Sequence, residues 1–179
     1  MEHIYATTQS TTVFSGRIVD VVHDIVTLPD GRSALREVVK HPGGAAVLPV
    51  TADGKLVFVR QYRHPLGGLA LEIPAGMVDP GETHLECAAR ELEEEVGFKS
   101  SNVVPFLQVS PSPGYLSEKL HIFLATDLTP SRRNLDDEEF IDVEFYTPEE
   151  AVSMIFGGAI TDAKTVTAVL AYRVRSHSS

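Results

Sequence analysis

An α/β (α+β) fold, in which a mixed β-sheet is covered by helices, is the class the sequence predicts. Three observations lead there. Short Val- and Ile-rich segments separated by turn residues fill most of the chain, one amphipathic helix stands near its middle, and two capped helices close its C-terminal part. The 179 residues have the size of one ordinary domain, or one domain with an appendage. That length can close a core without disulfides or a structural metal.

The first 40 residues read as strands. Val13-Phe14 and residues 17–28 are rich in Val and Ile, Pro29-Asp30-Gly31 turns the chain, and 33–40 returns as the second arm of an antiparallel hairpin. His41-Pro42-Gly43-Gly44 interrupts the pattern, so a boundary is placed between an N-terminal strand region, 1–43, and a main domain, 44–179. Segments 45–50 and 56–60 are apolar strands joined by Thr51-Ala52-Asp53-Gly54-Lys55, which signals a second hairpin. Gly67-Gly68 marks a loop, Leu71-Glu72-Ile73 a short strand and Pro80-Gly81 a turn.

The clearest helix follows. Leu85, Ala88, Ala89, Leu92 and Val96 recur at offsets of three, four, seven and eleven, forming one apolar stripe. Thr83 and Glu86 make a capping-box pattern at its start, and Gly97 stops it. Strands are expected at 103–109, 120–125 and 140–146. Thr147-Pro148-Glu149-Glu150 opens a helix that runs out at Gly157-Gly158, and Asp162 caps a last one.

Composition excludes several classes of function. The chain carries 25 acidic against 15 basic residues, a formal charge of −10 without a basic block, which makes it a poor general partner for nucleic acid or an anionic membrane. The single cysteine, Cys87, can form neither an internal disulfide nor a cysteine-cluster zinc site, and reads as packing. No basic start followed by an apolar stretch marks a secretory signal, and no run approaches ~18 apolar residues. A soluble, cytoplasmic protein is the expectation.

With Leu85 at zero and ~100° per residue, the stripe centres near 0°, while Glu91 falls at about 240°, Glu95 at about 280° and Glu94 at about 180°. Three carboxylates thus share one flank beside the buried stripe, and Glu91 and Glu95 lie one turn apart. Such a cluster fits either a solvated acidic face or a site for a hard cation with oxygen ligands, Mg²⁺ or Mn²⁺.

The wider spacing is more specific. Gly76, five residues, Glu82, seven residues, then Arg90-Glu91-Leu92-Glu93-Glu94-Glu95-Val96-Gly97-Phe98 resembles the Nudix box, with every defined position filled. Seven fixed positions at ~7% each match by chance less than about once in ten million starts. The resemblance implies a Nudix-type α/β/α sandwich with a mixed sheet, and metal-dependent hydrolysis of a nucleoside diphosphate linked to another group. It also implies metal ligands: the Ala75 carbonyl with Glu91, Glu94 and Glu95. Arg90 would orient the glutamates.

Arg60-Gln61-Tyr62-Arg63, Leu71-Glu72-Ile73-Pro74-Ala75-Gly76, Ser112-Pro113-Gly114 and Ile160-Thr161-Asp162-Ala163-Lys164-Thr165 look like the ADP-ribose pyrophosphatase branch, as does the proline fifteen positions beyond the box, Pro113. That branch implies conversion of ADP-ribose and water to AMP and ribose 5-phosphate. A GDP-mannose or other nucleotide-sugar hydrolase, and a non-catalytic nucleotide-binding module, are the alternatives. By the same resemblance Arg63 grips phosphates, and Met77, Ser112, Pro113, Gly114 and Glu118 line the substrate. The acidic run Asp136-Asp137-Glu138-Glu139 matches the loop that supplies the general base, with Glu139 first and Glu138 and Asp137 close behind. Glu95 is a catalytic acid of the box, and Glu139 a further metal ligand. The N-terminal strands are expected to exchange between two subunits of a homodimer, donating Arg36 and Glu37 across the interface.

Overall fold

The computed structural model describes residues 4–135 and 139–176. Asp136, Asp137 and Glu138 therefore lie outside the described residues. The chain divides into two compact units, Met1–Gly43 with Ser110–Lys119, and Gly44–Val109 with Leu120–Ser179.

In the first unit β1 (Ala6–Ser15), β2 (Asp20–Thr27) and β3 (Ser33–Lys40) form an antiparallel sheet in that order. The sequence reading of a hairpin is thus extended by one strand. The Thr- and Ser-rich stretch before Val13 carries little apolar signal because every residue of β1 is exposed. Segment 110–119 docks on β3, with Val39 N–H donating to Tyr115 O at 2.7 Å and Ser117 N–H to Val39 O at 2.9 Å.

The second unit holds two sheets. One has the order β7 (Ala75–Met77), β4 (Gly44–Pro49), β9 (Leu120–Pro130), β8 (Phe98–Val109), with β4 and β9 parallel and the other pairs antiparallel. The other has the order β10 (Ile141–Tyr146), β5 (Leu56–Arg63), β6 (Gly68–Glu72). Alternation along β4 and β5 builds two cores. Ala45, Val47, Val57 and Val59 face Cys87, Ala88, Leu92 and Val96 of the central helical segment. Ala46, Leu48, Leu56 and Phe58 face Ala151, Ile160, Ala168 and Val169 from α2 (Pro148–Phe156), α3 (Ala163–Ser176) and the link between them. Helices therefore cover both sides, the sandwich expected from the sequence.

The 51–55 turn forms, with Thr51 N–H donating to Lys55 O at 2.9 Å and Gly54 at a φ of +82°. The expected hairpin beyond it does not. After the single bridge Val50–Leu56, β4 and β5 part into different sheets. β4 pairs instead with β7 and β9, and β5 with the strand that follows it, β6, and with the distant β10.

The central helix also departs from its expected form. Its start is as read: the Thr83 hydroxyl accepts from Glu86 N–H while the Glu86 carboxylate accepts from Thr83 N–H. α1 proper covers His84–Glu91, and Leu92–Val96 widens into a π turn before Gly97 ends it at a φ of +78°. Such wide turns collect at functional sites.

Candidate active site

The buried face of this helical segment coincides with the apolar stripe only in part. Leu85 is 44% exposed and Ala89 is exposed, whereas Cys87, Ala88, Glu91, Leu92, Glu95 and Val96 are buried. The face is rotated toward the glutamates, so Glu91 and Glu95 stand inside it and not on its flank. Small residues opposite make this possible. A Cβ on Gly76 would lie 1.8 Å from Glu91 Oε1, so only glycine leaves the space this carboxylate fills. Ala75 N–H donates to Glu95 Oε2 at 3.1 Å.

Burial sets the electrostatics. Loss of solvent pushes the Glu91 carboxyl up to about 7, against the pull of Arg90, with Glu94 and Glu139 adding repulsion. Burial pushes Glu95 up to about 8, with Glu91 and Glu139 raising it further and Ala75 N–H and Arg63 drawing it down. Glu139 is thus electrically coupled to both box glutamates. Arg90 is the local cation. Its Nη1 donates to Glu91 Oε1 at 2.7 Å and Glu94 Oε2 at 2.9 Å, its Nε to Glu82 Oε1 at 2.9 Å, and its Nη2 to Met77 O at 3.1 Å. Glu82 also accepts from Asp79 N–H at 3.0 Å, which ties the loop after β7 to the helix. Cys87 is wholly buried, its thiol pushed up to about 12 by burial, consistent with packing.

Next to this pair lies a third buried carboxylate. Glu72 accepts both branches of the Arg63 guanidinium, at 2.8 and 3.0 Å, and is bonded to Lys164, which pairs with Asp162 at 3.1 Å. Asp162 in turn caps α3 through Thr165 N–H at 2.9 Å, and the Thr165 hydroxyl accepts from Ile73 N–H at 2.9 Å.

Residues 40–169 match the NUDIX domain family, nearly three quarters of the chain. The chain belongs to the Nudix family. It is 41% identical to the ADP-ribose pyrophosphatase of Bacillus subtilis strain 168, over 88% of this chain and 86% of that protein. It is 40% identical to the methanol dehydrogenase activator of Bacillus methanolicus, over 91% of this chain and 89% of that protein. A crystal structure of an ADP compounds hydrolase superposes with a TM-score of 0.83 at 26% identity, covering 94% of this chain and 92% of that one.

In Nudix terms, the second unit gathers Arg63, Ala75, Met77, Glu91, Glu94, Glu95 and Glu139. Arg36, Glu37, Ser112, Pro113, Gly114 and Glu118 belong to the first unit. There Glu118 Oε1 lies 3.7 Å from His41 Nδ1, and Glu37 Oε1 lies 3.6 Å from His23 Nε2. Glu138 lies outside the described residues. Nudix hydrolases are generally divalent-metal dependent. Among the described residues no three acidic, His or Cys side chains already stand as a cation cage, and the Glu91 and Glu94 carboxylates meet on Arg90. The donor set nevertheless fits a hard divalent cation. It is all oxygen, and the Glu91–Glu95 pair is buried, mutually repelling and short of positive charge.

The sequence reading missed three contributors. Glu72 and Lys164 entered only as letters of matching segments, and Arg133 not at all. Arg133 donates through Nε to Glu95 O at 2.8 Å and through Nη2 to Ile141 O at 2.7 Å. Ser131 N–H adds a bond to Gly97 O at 2.7 Å and Asn134 N–H one to Glu94 O at 3.2 Å. These bonds tie residues 131–134 to the box and, through Arg133, to Ile141 at the start of β10. No local pattern signals such a long-range role, although arginine in a turn before an acidic run is its one visible trace.

Proposed function

We propose that the protein hydrolyses the diphosphate bond of ADP-ribose, taking up one water and releasing AMP and ribose 5-phosphate. The observation that carries this reading is the pair of buried glutamates, Glu91 and Glu95, seated against the bare backbone of Gly76. The name of the Bacillus subtilis relative, an ADP-ribose pyrophosphatase matched over most of both chains, supports the substrate. Mg²⁺ is the proposed ion and Mn²⁺ a substitute, held by Glu91, Glu95, Glu94, Glu139 and the Ala75 carbonyl. When bound, the ion neutralises the diphosphate and acts on it as a Lewis acid.

The chain's own groups do the rest. Arg63, the Nε–Nη2 edge of its guanidinium fixed by Glu72, offers the remaining donors to the phosphates. Glu139 is the proposed base, taking the proton of the attacking water as its oxygen bonds to phosphorus and the P–O bridge breaks. Glu138 is the alternative. Met77, Ser112, Pro113 and Gly114 line the substrate, and Glu118 accepts from ribose hydroxyls. The setting is cytoplasmic, without nucleic acid or membrane as partner. Among the described residues no helix is long and apolar enough to cross a bilayer.

The assembly is proposed as a homodimer with exchanged N-terminal strands, Arg36 and Glu37 serving the other subunit's site. β1 lies at the edge of its sheet with all ten residues exposed, and open edges invite pairing. Light scattering at micromolar concentration checks it, since a monomer ends the exchange model. For the reaction, a panel of nucleoside diphosphate sugars with Mg²⁺, products separated by chromatography, is decisive. Expected is a kcat/KM for ADP-ribose at least about tenfold above that for GDP-mannose, ~1.4 kcal/mol of discrimination. The reverse order moves the assignment to GDP-mannose, and no turnover of any substrate leaves a binding module.

A further inference from the structure

Two neighbouring cross-strand pairs of β2 and β3 behave differently. His23 stands opposite Glu37, and Asp24 opposite Arg36. Residues directly opposite share a face with Cβ atoms about 5 Å apart, so complementary polar side chains there should meet. The first pair does so, at 3.6 Å. The second does not: Arg36 Nη1 donates to the carbonyl of its own neighbour, Leu35, at 2.9 Å. Asp24 is only 8% exposed, between the buried Val22 and Val26 on the same face, and its Oδ1 has no hydrogen-bond partner among the described residues. A buried carboxylate oxygen without a donor is rare in native structures and calls for a donor beyond those the described residues supply.

We infer that Asp24 is a positioning residue for Arg36, the acceptor that fixes the plane of its guanidinium when substrate is bound. The inference rests on the reading that Arg36 touches the substrate. Arginine carries five donors in a rigid fork, and the Leu35 carbonyl occupies the side chain through one nitrogen. Turning the fork onto Asp24 satisfies the buried oxygen with one edge and leaves the other for the ligand. The charge-assisted bond also holds the side chain more firmly than a neutral carbonyl does.

Steady-state kinetics on ADP-ribose with Asp24→Asn, Arg36→Ala and the double variant test this, with thermal melts alongside. Asp24→Asn keeps the shape and removes the charge. It should raise KM about tenfold with kcat within about twofold and no loss of melting temperature, and the double variant should match Arg36→Ala alone. Should the amide variant fail to fold, Asp24→Ser gives the same readout. A wild-type KM for Asp24→Asn beside a raised KM for Arg36→Ala overturns the assignment, as does an additive double variant. An Arg36→Ala chain with wild-type KM instead overturns the substrate role of Arg36, and the inference falls with it.

Discussion

Two buried acidic centres of the same unit have opposite electrostatics. At Glu72 burial alone would raise the carboxyl, but Arg63 and Lys164 more than offset it and hold it at about 2. At Glu91 and Glu95 burial wins, and the carboxyls stand at about 7 and about 8. All three are under a tenth exposed, so the difference lies in the counter-charges. Glu72 has two cations in direct contact, Arg63 and Lys164, the latter shared with Asp162. Glu91 shares Arg90 with Glu82 and Glu94, while Glu95 has a backbone N–H and the more remote charge of Arg63. The first centre is electrically complete and ties β6 to α3. The second is short of positive charge, which is the condition of a site built for something that brings it.

The contrast breaks most sharply under paired amide substitutions. Glu95→Gln should lower kcat about 10³-fold, ~4 kcal/mol of barrier, because it removes charge from the proposed ion site. The same change should leave the fold intact or firmer in metal-free buffer, since it relieves a buried repulsion. Kinetics with saturating Mg²⁺ and a thermal melt read both, and retention of half the wild-type rate would falsify the ion-site role.

Glu72→Gln should act the other way round. It leaves Arg63 beside a neutral amide and Lys164 with Asp162 alone, and breaking a buried pair costs about 3 kcal/mol. Urea denaturation should show that loss while kcat at low temperature stays within about fivefold. Equal stability of the variant and wild type would remove Glu72 from the framework.

The two centres should also separate along pH in metal-free protein. Glu72 is depressed in the fold, so its contribution is present above the ordinary glutamate value and is lost as pH falls toward about 2. Glu91 and Glu95 are raised. Between about 4.5 and 8 the folded chain holds more protons than the unfolded one. Their contribution is therefore full at the acid end of that window and is lost as pH rises through about 7 to 8. The melting temperature should decline across pH 5 to 8, and Glu95→Gln should flatten the decline. A wild-type melting temperature that climbs through that range, or an unchanged slope in the variant, refutes the raised values.

How much of this was legible in the sequence depended on whether the signal was local. Thr83 with Glu86 and Thr147 with Glu150 act as capping boxes as read, because the bonds span three residues. The box spacing placed Gly76 with Glu91 and Glu95 because that geometry is built into the motif. The 51–55 turn was legible, but the split of β4 and β5 into different sheets was not, since β9 and β10, far along the chain, take an edge of each. Arg133 and Lys164 reach their sites across long sequence separations, which no short-range pattern reports. The helix face failed for a different reason. Periodicity assumes that apolar residues are inside, and here function puts two glutamates there and turns Leu85 and Ala89 out.

That rotation yields the smallest expected effect. If the apolar stripe were the buried face, Leu85 would anchor the first turn, and Leu85→Ala would cost ~2–5 kcal/mol, as truncation of a core leucine does. With Leu85 44% exposed, the change removes little packing, and the replacement has slightly better helix propensity. Urea denaturation should therefore place Leu85→Ala within about 0.5 kcal/mol of wild type. Leu92→Ala is the internal control. Leu92 is wholly buried against Ala45, Val47 and their neighbours in the core, so its truncation should cost ~2–5 kcal/mol. Comparable losses at both positions would mean that the helix sits as the stripe suggests, with Glu91 and Glu95 turned out toward water. The electrostatic contrast with Glu72 would then disappear, since two solvated glutamates have no reason to titrate near neutrality.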